Sequence, residues 1–327
     1  MSDQNFAPAP ALNPAQEALS RVRDEVAKAV VGQNGAVTGL LVGLLVGGHV
    51  LLEGVPGVAK TLLVRSLAAS LELGTKRVQF TPDLMPGDVT GSLIYDAQAA
   101  RFDFRPGPVF TNLLLADEIN RTPPKTQAAL LEAMEEGQVS VDGTPRPLPD
   151  PFMVIATQNP VEYEGTYPLP EAQLDRFLLK LTLPLPPRDD EVQVLRRHAS
   201  GFDPRNLAGA GLSAVAGPSD LVAARAQVAA VRVDDQVLAY VVDLCRATRS
   251  APSVSLGASP RGATALLKTA RAWAWLNGRD FVTPDDVKAM APATLGHRLA
   301  IRTEAQLDGT TAAGVLANVL ASLPVPR

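Results

Sequence analysis

A glycine-containing loop between an apolar segment and a helical pattern constrains the fold of this chain more than any other feature. The apolar segment is 50–52, and the helical pattern runs over 62–68. Consecutive backbone N–H groups can surround an anion only where side chains stay out of the way, and a helix N-terminus adds its positive dipole end. The order strand, loop, helix therefore predicts an α/β fold that binds a nucleotide phosphate. The residues predicted to hold it are Gly54, Val55, Pro56, Gly57, Val58, Ala59, Lys60, Thr61 and Leu62.

Two side chains of this loop carry the chemistry that a phosphate site needs. Lys60 is placed to reach the β- and γ-phosphates of a nucleotide, and the Thr61 hydroxyl can ligate Mg²⁺. The general pattern has glycine immediately before the lysine, whereas this chain has Ala59. An alanine fits at this position without strain if the residue has a negative φ.

An apolar strand that ends in two adjacent carboxylates is the second signal. Residues 113–116 are followed by Asp117 and Glu118, and continuous apolar segments are typical of buried parallel strands. In a phosphate-loop enzyme the first carboxylate holds the metal, usually through water, and the next polarises the attacking water. We therefore predict Asp117 as the Mg²⁺ residue and Glu118 as the catalytic base. The alternative is a strand that ends at a solvated acidic turn.

A third apolar strand, 152–157, is followed by the polar residues Gln158 and Asn159. Ligands of open parallel sheets collect at the carboxyl ends of strands, so the loop, the acid pair and this amide are expected to converge on one site. Asn159 can orient the attacking water there. The alternative is that Asn159 is simply the first residue of a turn-forming Asn-Pro pair. The spacing alone favours neither the functional nor the turn interpretation.

Two arginines, Arg176 and Arg261, complete the set of candidate residues. Ser259 is a good N-cap and Pro260 suits the first helical position, so Arg261 is expected at a helix start that can face a phosphate. Arginine suits phosphoryl charge because its planar fork donates several hydrogen bonds and stays protonated. A surface ion pair is the alternative for each of them.

Together these motifs resemble a MoxR-type AAA+ ATPase of the helix-2-insert clade, over about residues 15–325. The resemblance depends on the order and spacing of the motifs rather than on any one of them. The segments that carry it are 54–61, 117–125, 156–160, 169–177 and 259–262.

The resemblance implies a fold, a cofactor set and residue roles. The fold is α/β, a P-loop AAA+ core with a parallel sheet flanked by helices, plus a C-terminal α-helical lid domain. The cofactors are ATP and Mg²⁺. Asp117 and Glu118 resemble the Walker B pair, Asn159 resembles sensor 1, Arg176 resembles an arginine finger and Arg261 resembles the sensor 2 arginine. The family also implies a homo-oligomer, a hexameric ring, although the sequence does not distinguish an Arg176 that acts in cis from one that acts in trans.

Composition breaks divide the chain into three parts. Residues 1–14 are expected to be a flexible N-terminal segment, 15–186 the nucleotide-binding core and 187–327 the helical lid. Two hairpins are predicted as insertions in the core, at about 81–110 and 137–151, the second with an Asp-Gly turn. Strands are expected to disappear after the proline-rich boundary at 184–187, where helices are predicted over 234–249, 260–277 and 284–290.

Charge and composition indicate which kinds of partner the protein binds and in which compartment it is found. The net charge of −4 and the lack of a run of Lys and Arg give no support to nucleic-acid binding. The lone cysteine, Cys245, is expected to be a buried structural thiol. No secretory signal is recognisable at the N-terminus, which predicts a cytoplasmic protein. The apolar stretch at 36–52 is interpreted as a buried helix, a turn and the strand before the phosphate loop, not as a membrane span.

The leading functional hypothesis is ATP hydrolysis in a ring that remodels or matures client proteins. By resemblance only, a von Willebrand factor A domain protein and a client enzyme are the expected partners, with metal-cofactor insertion as one task. Two alternatives are a DNA-acting AAA+ motor of the minichromosome-helicase type and a nucleotide-gated binding module that does not hydrolyse ATP. The negative net charge argues against the DNA-acting motor, and the presence of Glu118 argues against a module that does not hydrolyse ATP.

Overall fold

A five-stranded parallel sheet lies at the centre of the computed structural model, which describes residues 13–98, 100–159 and 165–326. The strands, numbered along the chain, are β1 (His49–Glu53), β2 (Thr75–Gln79), β3 (Gly91–Asp96), β4 (Arg101–Pro106), β5 (Leu113–Asp117), β6 (Gln138–Val141), β7 (Thr144–Pro147), β8 (Met153–Gln158), β9 (Phe177–Thr182), β10 (Val254–Leu256) and β11 (Ala300–Ile301).

Helices cover both faces of the sheet and form most of the C-terminal half. They are α1 (Pro14–Ala27), α2 (Asn34–Val46), α3 (Lys60–Ser70), α4 (Pro86–Thr90), α5 (Pro124–Glu136), α6 (Glu171–Leu174), α7 (Arg188–Ala199), α8 (Pro218–Ala230), α9 (Asp235–Ser250), α10 (Pro260–Leu276), α11 (Pro284–Leu295), α12 (Thr303–Leu307) and α13 (Ala312–Ser322), with 3₁₀ turns at Ile119–Arg121 and Gly296–Arg298.

The central sheet has the strand order β2-β5-β8-β1-β9, with every neighbouring pair parallel. Its inner strands are apolar along their length because both faces are covered. On β1, Val50 and Leu52 pack into one apolar cluster with α1, α2 and α3, whereas Leu51 packs into a second cluster with α5. The predicted fold class is confirmed, and the carboxyl ends of β1, β5 and β8 share one edge of the sheet.

The apolar stretch before the phosphate loop forms a helix, a turn and a strand, as the sequence predicts. Helix α2 ends at Val46, and Gly47 turns the chain into β1 with a positive φ of 70°, a conformation that glycine adopts at no steric cost. Within the described residues, no helix is both long enough and apolar enough to cross a bilayer.

Two antiparallel hairpins project from the core where insertions are predicted. One pairs β3 with β4, and the other pairs β6 with β7. The second turns through Asp142 and Gly143, both with positive φ, as a two-residue hairpin turn requires. The Arg146 guanidinium lies 3.9 Å from the ring centroid of Phe104 and so connects the two hairpins.

The C-terminal half departs from the sequence-based expectation in two places. Strands do not disappear after residue 187, because β10 and β11 form a small antiparallel pair; strands this short leave no periodic signal in the sequence. Helix α11 continues to Leu295, with Pro292 inside it, whereas the prediction ended it at Met290. The Ser259 hydroxyl accepts a hydrogen bond from the backbone N–H of Gly262, so the predicted N-cap of α10 is confirmed.

The N-terminal and C-terminal halves share one apolar core. Val22 of α1, Leu40 of α2, Leu244 of α9 and Leu266 of α10 are fully buried in the same cluster. Helix α1 begins at Pro14 with Asn13 as its cap, so the predicted flexible segment 1–14 otherwise lies outside the described residues. Cys245 is fully buried as predicted, and burial raises the pKa of its thiol to about 11.

Candidate nucleotide site

A cleft of about 880 Å³ opens at the carboxyl edge of the sheet. Most of the residues predicted to bind nucleotide lie on its wall, together with the acid pair and the amide. Gly54 and Val55 precede the loop residues that line it. The predicted residues on the wall are Pro56, Gly57, Val58, Ala59, Lys60, Thr61, Leu62, Asp117, Glu118 and Asn159.

The phosphate loop connects β1 to α3 and presents the start of that helix to the cleft. Gly57 has a φ of 88°, and Gly54 lies so close to Leu183 that a Cβ there would approach its carbonyl oxygen to 3.0 Å. The Lys60 Nζ donates a hydrogen bond to the Gly54 carbonyl at 2.8 Å, which closes the loop on itself.

Ala59 does not meet the condition of a negative φ under which an alanine fits without strain. It caps α3 with φ 61° and ψ 25°, in the left-handed region that costs an L-residue with a Cβ roughly 1–2 kcal/mol. The residue type alone does not set the backbone conformation here, because the turn from loop into helix imposes it. Glu118 also has a positive φ, 57°, so two strained residues border the same cleft, where strain commonly gathers.

Thr157 fixes the acid pair against the neighbouring strand. It is fully buried on β8, and its hydroxyl donates to Asp117 Oδ1 at 2.5 Å. The same Oγ1 accepts a hydrogen bond from the Glu118 backbone N–H at 2.9 Å. The two carboxylates therefore leave the sheet in a defined direction, although the sequence analysis did not single out Thr157.

Two residues of β2 that the sequence analysis missed contact the acid pair. Arg77 donates from Nε and Nη2 to Asp117 Oδ2 at 3.1 and 2.7 Å. Gln79 donates from Nε2 to Glu118 Oε2 at 2.8 Å, and Arg121 pairs with the same oxygen at 3.1 Å. Both β2 residues line the cleft. Alternation along β2 puts them on one face, but only the pairing of β2 with β5 brings that face to the carboxylates.

Asn159 lies immediately after β8 and is 6% exposed, so its amide borders the cleft from a rigid position. Pro160, the other half of the alternative Asn-Pro turn, lies outside the described residues.

The two predicted arginines lie together, away from this cleft. Neither is among the described residues that line it. Arg176 Nη2 lies 3.1 Å from Glu135 Oε2, and Arg261 Nη1 lies 3.6 Å from Oε1 of the same carboxylate. Arg261 Nε also lies 3.9 Å from Asp175 Oδ2. Within the described structure Arg261 therefore lies at a helix start, as expected, but its guanidinium faces Glu135 and Asp175 and not the cleft of its own chain.

A further set of residues that line the cleft was missed by sequence reasoning. Val30 and Val31 follow α1, and His198 lies on α7 with its ring 5.5 Å from that of Phe202. Arg197 holds α7 to the end of α1 through the carbonyls of residues 27 and 28. No local motif marks these residues, because they are brought together only by packing of α7 on α1.

The donor set of the cleft fits a nucleoside triphosphate with Mg²⁺. Thr61 and Asp117 both line the cleft, and their hydroxyl and carboxylate oxygens are ligands of the kind that Mg²⁺ prefers. Asp117 Oδ2 already pairs with a positive group, the Arg77 guanidinium, at 2.7 Å.

Comparison with known proteins agrees with the geometry. Residues 49–179 match the ATPase family associated with various cellular activities (AAA), and residues 246–319 match the AAA lid domain. A crystal structure at 2.00 Å from Cytophaga hutchinsonii superposes with a TM-score of 0.88 at 40% identity, covering 96% of both chains.

Similar curated proteins span almost the whole chain. An uncharacterized Bacillus subtilis protein, YeaC, is 49% identical over 308 residues, covering 94% of this chain and 95% of its own length. Chaperone MoxR1 of Mycobacterium tuberculosis is 42% identical over 318 residues, covering 94% of this chain and 82% of its own. Protein MoxR of Methylorubrum extorquens is 36% identical over 308 residues, covering 87% and 88%. The chain therefore belongs to the MoxR family of AAA+ ATPases.

Proposed function

We propose that this protein hydrolyses ATP to ADP and phosphate in a ring of identical subunits and uses the reaction to remodel or mature client proteins. The observation that carries the proposal is the placement of the phosphate loop, Asp117, Glu118 and Asn159 on one cleft at the carboxyl edge of the sheet. Fixed donors and acceptors in a water-poor cleft are what phosphoryl transfer requires of a protein.

Binding of ATP rests on the loop and the start of α3. The Lys60 ammonium bonds the Gly54 carbonyl of the same loop, which keeps it beside the proposed phosphate site. Thr61 and Asp117 would hold Mg²⁺, which when bound neutralises phosphate charge. Arg77 pairs with Asp117 Oδ2 in this structure, so a metal held by this oxygen would compete with the guanidinium.

Glu118 is the proposed base. It accepts a proton as the water oxygen forms a bond to the γ-phosphorus and the bond from that phosphorus to the β–γ bridging oxygen breaks, which leaves ADP and phosphate. Its Oε2 is held by Gln79 and Arg121, so the carboxylate is oriented before substrate arrives. Asn159, rigid at the end of β8, orients the water.

Arg176 and Arg261 are proposed to serve the nucleotide of a neighbouring subunit. They share Glu135 on a surface that does not belong to the cleft of their own chain, and 31% and 53% of their side chains are exposed. Two arginines on one surface can together stabilise the negative charge that is spread over the oxygens of a phosphoryl group during transfer. A homo-oligomeric ring, hexameric by resemblance, would bring this surface to the next cleft.

The client-directed part of the proposal rests on the hairpins and on a relative. Chaperone MoxR1 is named for a chaperone role. Tyr95 and Phe102 form an exposed aromatic pair on the β3–β4 hairpin, 55% and 66% exposed, and such residues suit contact with another protein. A von Willebrand factor A domain protein and a client enzyme, with metal-cofactor insertion as one task, remain the proposed partners. The cytoplasm, where ATP is abundant, is the proposed location.

Phosphate release measured against protein concentration tests the proposal. Turnover per chain should rise as light scattering shows assembly, and Arg176→Ala should lower it by about 10³-fold or more without preventing assembly. Turnover per chain that stays constant from monomer to ring would contradict the shared site. A salt-dependent DNA-binding assay should show no affinity; binding that weakens with salt would favour the DNA motor.

A further inference from the structure

A buried guanidinium lies directly behind the two arginines. Arg298 ends the 3₁₀ turn after α11, and its side chain is only 4% exposed. Arginine is almost never buried to this extent unless it is paired. Its Nε donates to Asp175 Oδ1 at 2.7 Å, and its Nη2 donates to the carbonyls of Phe177 at 2.8 Å and Asp175 at 3.3 Å.

The same side chain also bonds the strand that follows. Its Nη1 donates to the Leu178 carbonyl at 3.2 Å and to the carbonyl of Thr294, one turn earlier in its own segment. Most of its donors are thus used on residues 175–178, which are the two-residue connection after α6 and the first two residues of β9.

The contacts of Arg298 bracket Arg176. Asp175 precedes Arg176 and Phe177 follows it, and the guanidinium bonds the backbone carbonyl of both. Asp175 also presents its second oxygen, Oδ2, to Arg261 Nε at 3.9 Å. One buried side chain is therefore linked to both arginines, through the backbone to Arg176 and through a carboxylate to Arg261.

We propose that Arg298 is a positioning residue that sets the place of Arg176 and Arg261 for the nucleotide of a neighbouring subunit. The inference rests on the proposed function, since it assumes that these arginines act in trans. The proposal gives Arg298 itself no contact with nucleotide, because its side chain is only 4% exposed and it is not among the described residues lining the cleft of its own chain.

The physical reason is preorganisation. A long side chain on a short connection reaches a phosphate reproducibly only if its backbone is fixed, and a misplacement of about 1 Å can cost about 10²-fold in rate. The planar fork of arginine can bond several acceptors at fixed angles, which a lysine cannot do. A simple structural anchor between α11 and β9 is the competing explanation, since removal of a buried charge partner also destabilises a fold.

Subunit mixing separates these explanations. Arg298→Met alone should lower kcat by about 10²-fold and leave the affinity of its own cleft for Mg·ATP unchanged. Mixed in equal amounts with Glu118→Gln, it should show turnover well above the sum of the two variants measured separately. The Glu118→Gln subunits supply intact arginines to clefts of the Arg298→Met subunits, which still contain the base.

Two further mixtures complete the experiment. Arg176→Ala mixed with Glu118→Gln should also recover turnover, and Arg176→Ala mixed with Arg298→Met should not, because both lack a working arginine surface. Recovery with Arg176→Ala but not with Arg298→Met would overturn the role of Arg298 and leave the proposed function standing. No recovery with Arg176→Ala would overturn the trans arrangement and the inference with it.

A second variant keeps the test decisive if Arg298→Met does not fold. Asp175→Asn preserves the volume of the side chain but removes the charge that faces both Arg298 and Arg261. It should behave as Arg298→Met in every mixture. Wild-type turnover in folded Asp175→Asn rings would contradict the proposal.

Discussion

The Gln79 side chain donates a hydrogen bond to Glu118 across the gap between β2 and the end of β5, with 2.8 Å between Nε2 and Oε2. Arg121 pairs with the same oxygen. A carboxylate that is held on one oxygen has fewer orientations to lose when substrate binds. Through Gln79, the edge strand β2 helps to position Glu118, the proposed base.

Replacement of Gln79 by alanine should lower kcat by about tenfold, because the base loses part of its preorganisation. The KM for ATP should stay within about twofold, since an interaction with the base adds nothing to ground-state binding. Steady-state phosphate release measures both. Lys76→Ala, on the opposite face of β2, is the matched control and should leave kcat unchanged. Faster turnover in Gln79→Ala would show instead that the bond restrains the base.

Glu118→Gln should retain Mg·ATP binding and lose about 10²–10⁴-fold in turnover, because the amide cannot accept the water proton. Filter-trapped nucleotide and single-turnover hydrolysis report the two properties separately. Glu136→Gln on the exposed side of α5 serves as control and should hydrolyse ATP as the wild type does. Unchanged turnover in Glu118→Gln would remove this residue from the role of base.

Ala59→Gly should raise the free energy of unfolding by about 1 kcal/mol or less. Glycine removes the strain of the positive φ of 61°, which stabilises the folded state by roughly 1–2 kcal/mol. The greater conformational entropy of glycine in the unfolded chain opposes this by about 0.5–1 kcal/mol. Urea unfolding measures the difference. A loss of stability of about 1 kcal/mol, as at an ordinary helical alanine, would mean that the left-handed conformation is not populated.

Stability should fall as the pH drops from about 6.5 toward 4, in part because of His49. Burial lowers the pKa of its imidazole from 6.5 to about 4, partly opposed by the hydrogen bond to the Met134 carbonyl. Its Nδ1 accepts from the Val154 N–H and its Nε2 contacts Met134 O, so the folded state holds the neutral ring. As the pH falls, His49 takes up a proton in the unfolded chain before it does so in the folded protein. This difference lowers the free energy of unfolding by about 3 kcal/mol at pH 4.

His49→Gln provides the check on that pH dependence. The variant should be less stable at neutral pH but show a flatter decline of unfolding free energy across the window. Burial also lowers the pKa of His297, to about 3. The unfolding free energy of His49→Gln should therefore still decline somewhat as the pH falls. An unaltered slope in His49→Gln would contradict the assignment of this proton uptake to His49.

Local sequence was enough to find the catalytic candidates on the cleft. The phosphate loop, Asp117 and Glu118 are contiguous in the chain, and a parallel sheet places strand ends at a common edge. The same argument placed Asn159 on the cleft, because this residue comes directly after β8.

Tertiary contacts decided what sequence could not show. Arg77 and Gln79 lie in a polar strand with no motif, and their importance comes from the register that sets Gln79 beside Asp117. The shared pairing of Arg176 and Arg261 with Glu135 joins three distant segments. The backbone conformation of Ala59 depended on the loop geometry and not on the residue type.

Isothermal titration of Mg·ATP into the purified protein tests the central claim most directly. We predict saturable binding at one site per chain, which is lost in Lys60→Ala and retained in Lys268→Ala, a control on the exposed face of α10. Absence of binding to the wild type, or equal binding to Lys60→Ala, would contradict the account.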